Sequence, residues 1–126
     1  MSNPTELQYT EDHEWVRMEA DVATIGITTH ATETLSDLVY IDLPAVGDDV
    51  TSGESFGEIE SVKAVSDLNA PVSGEIVEIN AELEDNLGDI TSDPYGKGWM
   101  VKIRVSSPAE GLLDSAAYDA HVAASG

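Results

Sequence analysis

The chain contains no cysteine, which excludes disulfides, thiolate metal sites and catalysis by a protein thiol. Any sulfur redox chemistry would have to arrive with an added cofactor. Basic residues are scarce: five Lys and Arg stand against 25 Asp and Glu, a formal net charge of −20. So few cations cannot assemble a basic patch, which argues against binding nucleic acid through its phosphates. No apolar run approaches the length of a membrane span. Residues 1–6 have neither the basic residues nor the apolar core of a signal peptide. The expectation is a soluble, intracellular protein of the cytoplasm, with no membrane partner.

What is present is 126 residues with 41% hydrophobic content, suited to one compact domain over 1–126 with a modest core. That is too short for a large catalytic machine with its own cofactor domain. The acid is spread along the chain instead of being gathered in a tail. This points to adaptation to a high-salt cytosol, as in a halophile, where screening is short-ranged and self-repulsion costs little.

The order of elements is mainly β. Residues 15–18 and 22–27 read as two strands around a turn at Ala20-Asp21, the second rich in β-branched residues. Thr28-Thr29 can cap a short helix near 28–36, with Glu33 as the capping-box partner. Residues 38–43 return to strand and stop at Pro44, and 46–49 carry turn chemistry. The centre, about 55–70, reads as strand, tight turn, strand, with Lys63 at the turn. Residues 75–79 alternate only approximately, since Glu75 and Glu78 are three apart. Residues 81–97 are polar and read as a long loop with one helical turn. Residues 99–105 alternate, with Trp99, Val101, Ile103 and Val105 on one side, and Pro108 opens a C-terminal helical region around Leu112-Leu113 and 116–118. Short strands with Gly turns and little helix imply a β-sandwich or flattened barrel. Ser-Gly-Glu at 52–54 recurs at 73–75, on either side of Lys63, as two half-motifs folded about a hairpin would have it.

Lys63 is one of three lysines. At a tight turn its amine would point away from the sheet on a rigid base, and its four-carbon stem suits a tether better than the planar head of arginine. Taken alone, it reads as an ordinary solvated turn lysine paired with Glu60 or Asp67. Its context is more specific. Glu60-Ser61-Val62-Lys63-Ala64, followed by Ala70-Pro71-Val72-Ser73-Gly74, closely resembles the lipoyl-attachment motif of the glycine cleavage H proteins. The resemblance extends upstream to His13-Glu14-Trp15-Val16 and 23–28, and downstream to 94–100, covering roughly 9–118.

The resemblance implies a lipoyl-domain-like barrel-sandwich hybrid, with lipoate bound covalently as N6-lipoyllysine at Lys63. It implies a carrier in glycine catabolism and one-carbon metabolism, not an enzyme. Glycine decarboxylase would load the arm with an aminomethyl group and aminomethyltransferase would unload it. Dihydrolipoyl dehydrogenase would reoxidise it, and a lipoate ligase or lipoyl transferase would attach it. The chemistry belongs to the cofactor and those enzymes, and the absence of cysteine means that no protein thiol competes in exchange with the dithiolane. Glu14 and Asp67 match family positions near the arm and are candidates to hold its cationic amine. Asp12 stands where members often have a small polar residue, and Thr34 replaces a histidine found in some.

His13, His30 and His121 show no metal-ligand spacing and read as structural or exposed, and Trp15 and Trp99 read as core anchors. Asp85, Asn86, Gly88 and Asp89 miss the spacing of a calcium loop, so no metal is expected. Four other readings compete. A lipoyl domain of a 2-oxoacid dehydrogenase would place Asp where Val62 stands, and a biotin carrier would flank its lysine with methionines. A lipoate relay protein would share this motif, and an unmodified interaction protein would keep only the fold.

Overall fold

The computed structural model describes residues 7–35, 37–62, 64–106 and 112–125. Lys63, Pro108 and residues 1–6 lie outside the described residues.

Among the described residues nine strands form two antiparallel sheets. The larger has the order β1 (Gln8–Tyr9), β2 (Glu14–Glu19), β3 (Val22–Ile27), β9 (Val101–Val105), β8 (Gly74–Ile79), β5 (Asp49–Val50). The smaller runs β4 (Leu38–Asp42), β6 (Ser55–Ser61), β7 (Val65–Asn69). Their facing surfaces enclose one core that includes Ile25, Ile41, Ile59, Leu68, Ile76 and Ile103. A second cluster, Leu7, Tyr9, Trp15 and Tyr118, lies on the other face of the larger sheet. Strand β2 therefore buries Glu14, Trp15 and Val16 in succession, because it is covered on both faces. The cover over Trp15 is the turn region 94–98: the indole N–H donates to the Pro94 carbonyl at 2.8 Å, and Arg17 donates to the Tyr95 carbonyl at 2.9 Å. Trp99 packs there half-buried. It is not in β9, which starts at Val101 after the equally buried Met100.

The imperfect alternation at 75–79 has a physical cause. The register between β8 and β9 shifts between Ile76 and Glu78. That irregularity lets Glu75 and Glu78 both face outward, where they meet Arg104 at 3.4 Å and Lys102 at 3.7 Å.

Helix α1 spans Thr29–Leu35. The Thr28 hydroxyl accepts from the Ala31 N–H at 3.4 Å, so the capping-box position is Ala31 and the expected partner Glu33 lies beyond it, about half a turn too far along. The expected loop 81–97 holds more helix than its polarity suggested: a 3-10 helix at Ala81–Glu84 and α2 at Gly88–Ser92. Each is anchored by one apolar residue, Leu83 and Ile90. Leu112-Leu113 is not helical. Leu113 and Tyr9 exchange backbone hydrogen bonds of 2.8 and 2.7 Å, and α3 runs from Ser115 to Ser125. The two Ser-Gly-Glu triplets do meet, since the Ser52 N–H donates to the Ser73 hydroxyl at 2.9 Å.

Glycine is required where β4 and β6 approach: a Cβ on Gly57 would run into the Asp42 carbonyl. Gly57→Ala is expected to lose about 1–3 kcal/mol of stability, as overpacking does, read as a lower urea midpoint. An unchanged midpoint would show that the two strands can separate freely.

Candidate functional site

The hairpin β6–β7 is closed just before its tip. The Ser61 N–H donates to the Ala64 carbonyl at 2.8 Å, and the Ala64 N–H donates to the Ser61 hydroxyl at 3.1 Å. Only positions 62 and 63 remain between them. The Val62 N–H donates to the Asp37 carbonyl at 2.9 Å, which ties this end of the hairpin to the start of β4. The side chains of Val62 and Val65 are 74% and 60% exposed, so apolar surface flanks position 63 in water. Lys63 itself, the expected attachment residue, is outside the described residues, and its context here is that of its neighbours.

The outward face of the small sheet is acidic. Asp42, Glu58 and Asp67 stand side by side across β4, β6 and β7. Like charges directly opposite one another oppose sheet formation, and the described ion pairs, Glu75–Arg104 and Glu78–Lys102, lie in the other sheet. Asp67 belongs to this row. Because strand side chains alternate, Ser66, not Asp67, turns toward α1.

Beside the hairpin base, Thr10 organises a tight loop. Its hydroxyl accepts from the N–H groups of Asp12 and Glu14, each at 3.2 Å, and donates to the Glu14 carboxyl at 2.7 Å. Glu14 is only 3% exposed. It lines a cleft with Thr10, Asp12, Gly53, Asn69 and Pro71, across which the Asn69 amide meets Asp12 at 3.4 Å. Burial pushes the Glu14 carboxyl up to about 8, with Asp12 adding to the rise, while hydrogen bonds from Thr10 and the Asn69 backbone oppose it. Around the corner, Asp12, His13, His30, Thr34, Leu35 and Ser66 line a second groove between α1 and β7. The two expected arm contacts are thus separated, with Glu14 in the cleft and Asp67 on the outer face. Asp12 joins cleft to groove.

The three histidines, unremarked by their spacing, come together in space. The His13 ring lies 4.5 Å from that of His30 and 5.9 Å from that of His121, between centroids. Burial, then His30 and His121, lowers the His13 pKa, so its neutral form is favoured. Among the described residues no group of three or more His, Cys, Asp or Glu is placed to hold a metal ion. Nor is there any helix long and apolar enough to cross a membrane. What the arrangement offers chemically is a desolvated carboxyl in a small cleft, suited to receive a cation.

Glu14 gives the cleft a pH signature. Between its ordinary value of 4.5 and about 8, the folded chain holds a proton that the unfolded chain has lost. Stability from this group therefore falls as pH rises through that window. Glu14→Gln escapes the loss, so the variant should gain on wild type by on the order of 2–4 kcal/mol between pH 5 and pH 8.5. Urea unfolding at both pH values measures it, and a constant difference would contradict the buried carboxyl.

Comparison with known proteins gives a consistent result. The family model described as "Glycine cleavage H-protein" matches residues 7–124. A glycine cleavage system H protein of Acinetobacter baumannii is 51% identical over 122 residues, 95% of this chain and 98% of the relative. One from Bacteroides thetaiotaomicron is 49% identical over 124 residues, 97% of this chain and 98% of the relative. The crystal structure of a glycine cleavage system H protein from Mycobacterium marinum superposes with a TM-score of 0.91 at 42% identity, covering 96% of this chain and 99% of that one.

Proposed function

We propose, from the premise that this chain belongs to the glycine cleavage H-protein family, that Lys63 is its lipoyl-attachment residue. Members of the family are lipoate-carrying shuttles of the glycine cleavage system and not catalysts, with lipoate attached covalently to a lysine. The proposal concerns how this chain's residues serve that role. The observation that carries it is the hairpin closed by Ser61 and Ala64, which leaves positions 62 and 63 as its only connection.

The residues present fit such a group. The clamp below the tip would give an attached arm a rigid base, and Val62 and Val65 expose apolar surface that its hydrocarbon stem could meet. When bound, lipoate supplies the sulfur chemistry that accepts and delivers an aminomethyl group. The protein's part is to position the arm and shield it. Glu14 is the carboxyl best placed to hold a cationic amine out of bulk water, and in low effective dielectric that attraction is strong. A neutral Glu14 would give up its proton to solvent water as the cation arrives. Asp67, on the outer face, adds negative potential near the hairpin. The partners of this reading are glycine decarboxylase, aminomethyltransferase and dihydrolipoyl dehydrogenase, with a lipoate ligase or lipoyl transferase for attachment. Its setting is a single carrier domain in the cytoplasm.

Peptide mapping after lipoylation tests the attachment. The lipoyl mass is expected on Lys63 and absent from Lys63→Arg, and its appearance on Lys97 or Lys102 would refute the assignment.

The acidity belongs to the same reading, as adaptation to the salt of a halophile's cytosol. Asp42, Glu58 and Asp67, directly opposed across three strands, are stabilised by salt that screens their repulsion. The melting temperature should rise from dilute buffer to molar potassium chloride. Glu58→Gln should melt higher than wild type in dilute buffer, with the advantage shrinking in salt. A flat response in both would leave the acidity serving solubility alone.

A further inference from the structure

We propose that Tyr118 is a positioning residue for the loaded arm: its hydroxyl closes a hydrogen-bonded ring through Thr28 and His13 that holds the Asp12–Glu14 wall of the cleft. This rests on the reading that the arm's cation docks against Glu14.

The loop between β1 and β2 is built on a conformation that ordinary residues resist. His13 has φ of +71°, left-handed for a residue with a Cβ, at a cost of about 1–2 kcal/mol. It stands between Asp12 and Glu14, so its backbone decides where both carboxyls point. Relaxing it to the right-handed region would pull the Glu14 N–H and carboxyl away from the Thr10 hydroxyl that binds them both.

Three bonds oppose that relaxation. The His13 N–H donates to the Thr10 carbonyl at 3.2 Å, and the His13 carbonyl accepts from the Thr28 N–H at 3.0 Å. The third comes from α3: the Tyr118 hydroxyl lies 2.7 Å from His13 Nδ1 and 2.7 Å from the Thr28 hydroxyl. With the Thr28 backbone bond these contacts make a closed ring across three elements, the loop before β2, the start of α1, and α3. Tyr118 is itself immobilised, fully buried and stacked on Tyr9 at 4.7 Å with 14° between the planes.

Proton positions in the ring follow from the neighbours. Burial pushes the Tyr118 hydroxyl up to about 12, with Tyr95, Glu14 and Asp119 adding to the rise and Thr28 opposing it. It therefore remains a donor. Burial, then His30 and His121, opposes charge on His13 and outweighs Asp12, which favours it. A neutral His13 with its proton on Nε2 leaves Nδ1 to accept from Tyr118, while the Thr28 hydroxyl donates to the Tyr118 oxygen. His121 adds a second tether from α3, through its Nε2 and the Glu11 carbonyl at 3.1 Å.

The test uses the full lipoylated chain, loaded with an aminomethyl group by glycine decarboxylase, and measures ammonia release at pH 7.5 without further enzymes. Tyr118→Phe keeps the stacked ring and removes only the hydroxyl. Release should quicken roughly three- to tenfold, the loss of about one hydrogen bond's free energy. Ile90→Val, a core change in α2 of similar modest cost, should release at the wild-type rate. Nitrogen chemical shifts should show His13 as the Nε2–H tautomer in wild type and as a tautomer mixture in Tyr118→Phe. Wild-type release from Tyr118→Phe overturns the proposal, as does equal acceleration by Ile90→Val. So does a wild-type His13 protonated on Nδ1, a reading that needs no variant to fold. Glu14→Gln separates the two layers of the argument. If it releases no faster than wild type, docking at Glu14 fails and this proposal with it. If it is fast while Tyr118→Phe is not, only the role of Tyr118 falls.

Discussion

Keeping the Glu14 carboxyl out of water is the constraint around which this end of the molecule is arranged. A buried carboxyl is tolerated only if its polar atoms are partnered. Thr10 supplies one partner and the backbone at Asn69 another. To bring Thr10 within reach, the loop must double back over four residues, which forces His13 into the left-handed region. That conformation in turn needs support from outside the loop, and the support comes from Thr28 and Tyr118. Each requirement creates the next, until a helix remote in sequence is tied to the wall of a small cleft.

The charge distribution divides the same way as the sheets. Arg17, Lys102 and Arg104 all lie in β2 and β9 of the larger sheet, where the two described ion pairs form. Strands β4, β6 and β7 contain no cation at all. Among the described residues that sheet is charged with one sign alone, its carboxylates set beside exposed Val39, Tyr40, Val62 and Val65. A field of one sign steers oppositely charged partners toward it and repels a second copy of the same face.

Much of the architecture was legible in the residues, for reasons that also mark the limit. Val22–Ile27 is rich in β-branched residues (Val22, Thr24, Ile25 and Ile27), and the structure has a strand with those bounds. The central hairpin announced itself by two strand-like runs and a short turn. Strands β1 and β5 did not, because two residues cannot display a period. The irregularity in β8 blurred its alternation, and the polar stretch 81–92 concealed two helical segments whose burial rests on a single side chain each. At the site, Glu14 became a candidate through its sequence neighbours, but its burial could not be read where acid is everywhere. The histidine cluster was invisible for a different reason: His13, His30 and His121 meet only because α1 and α3 pack against one loop, and neither contact has a local signature.

The pairing of His13 with Tyr118 spans 105 positions, and the exchange between Tyr9 and Leu113 is nearly as long. Contacts of such separation are the costliest to close and are expected late in folding. During synthesis, β2, β3 and the whole β6–β7 hairpin leave the ribosome before α3 exists. The hairpin can thus be complete while the cleft still lacks its last support, so the place where an arm would be attached matures before the place where it would be sheltered. Interactions that form after the rate-limiting step govern escape from the native state more than entry to it. The seam between β1 and α3 is accordingly expected to set how long the finished molecule endures, and to have little say in how fast it forms.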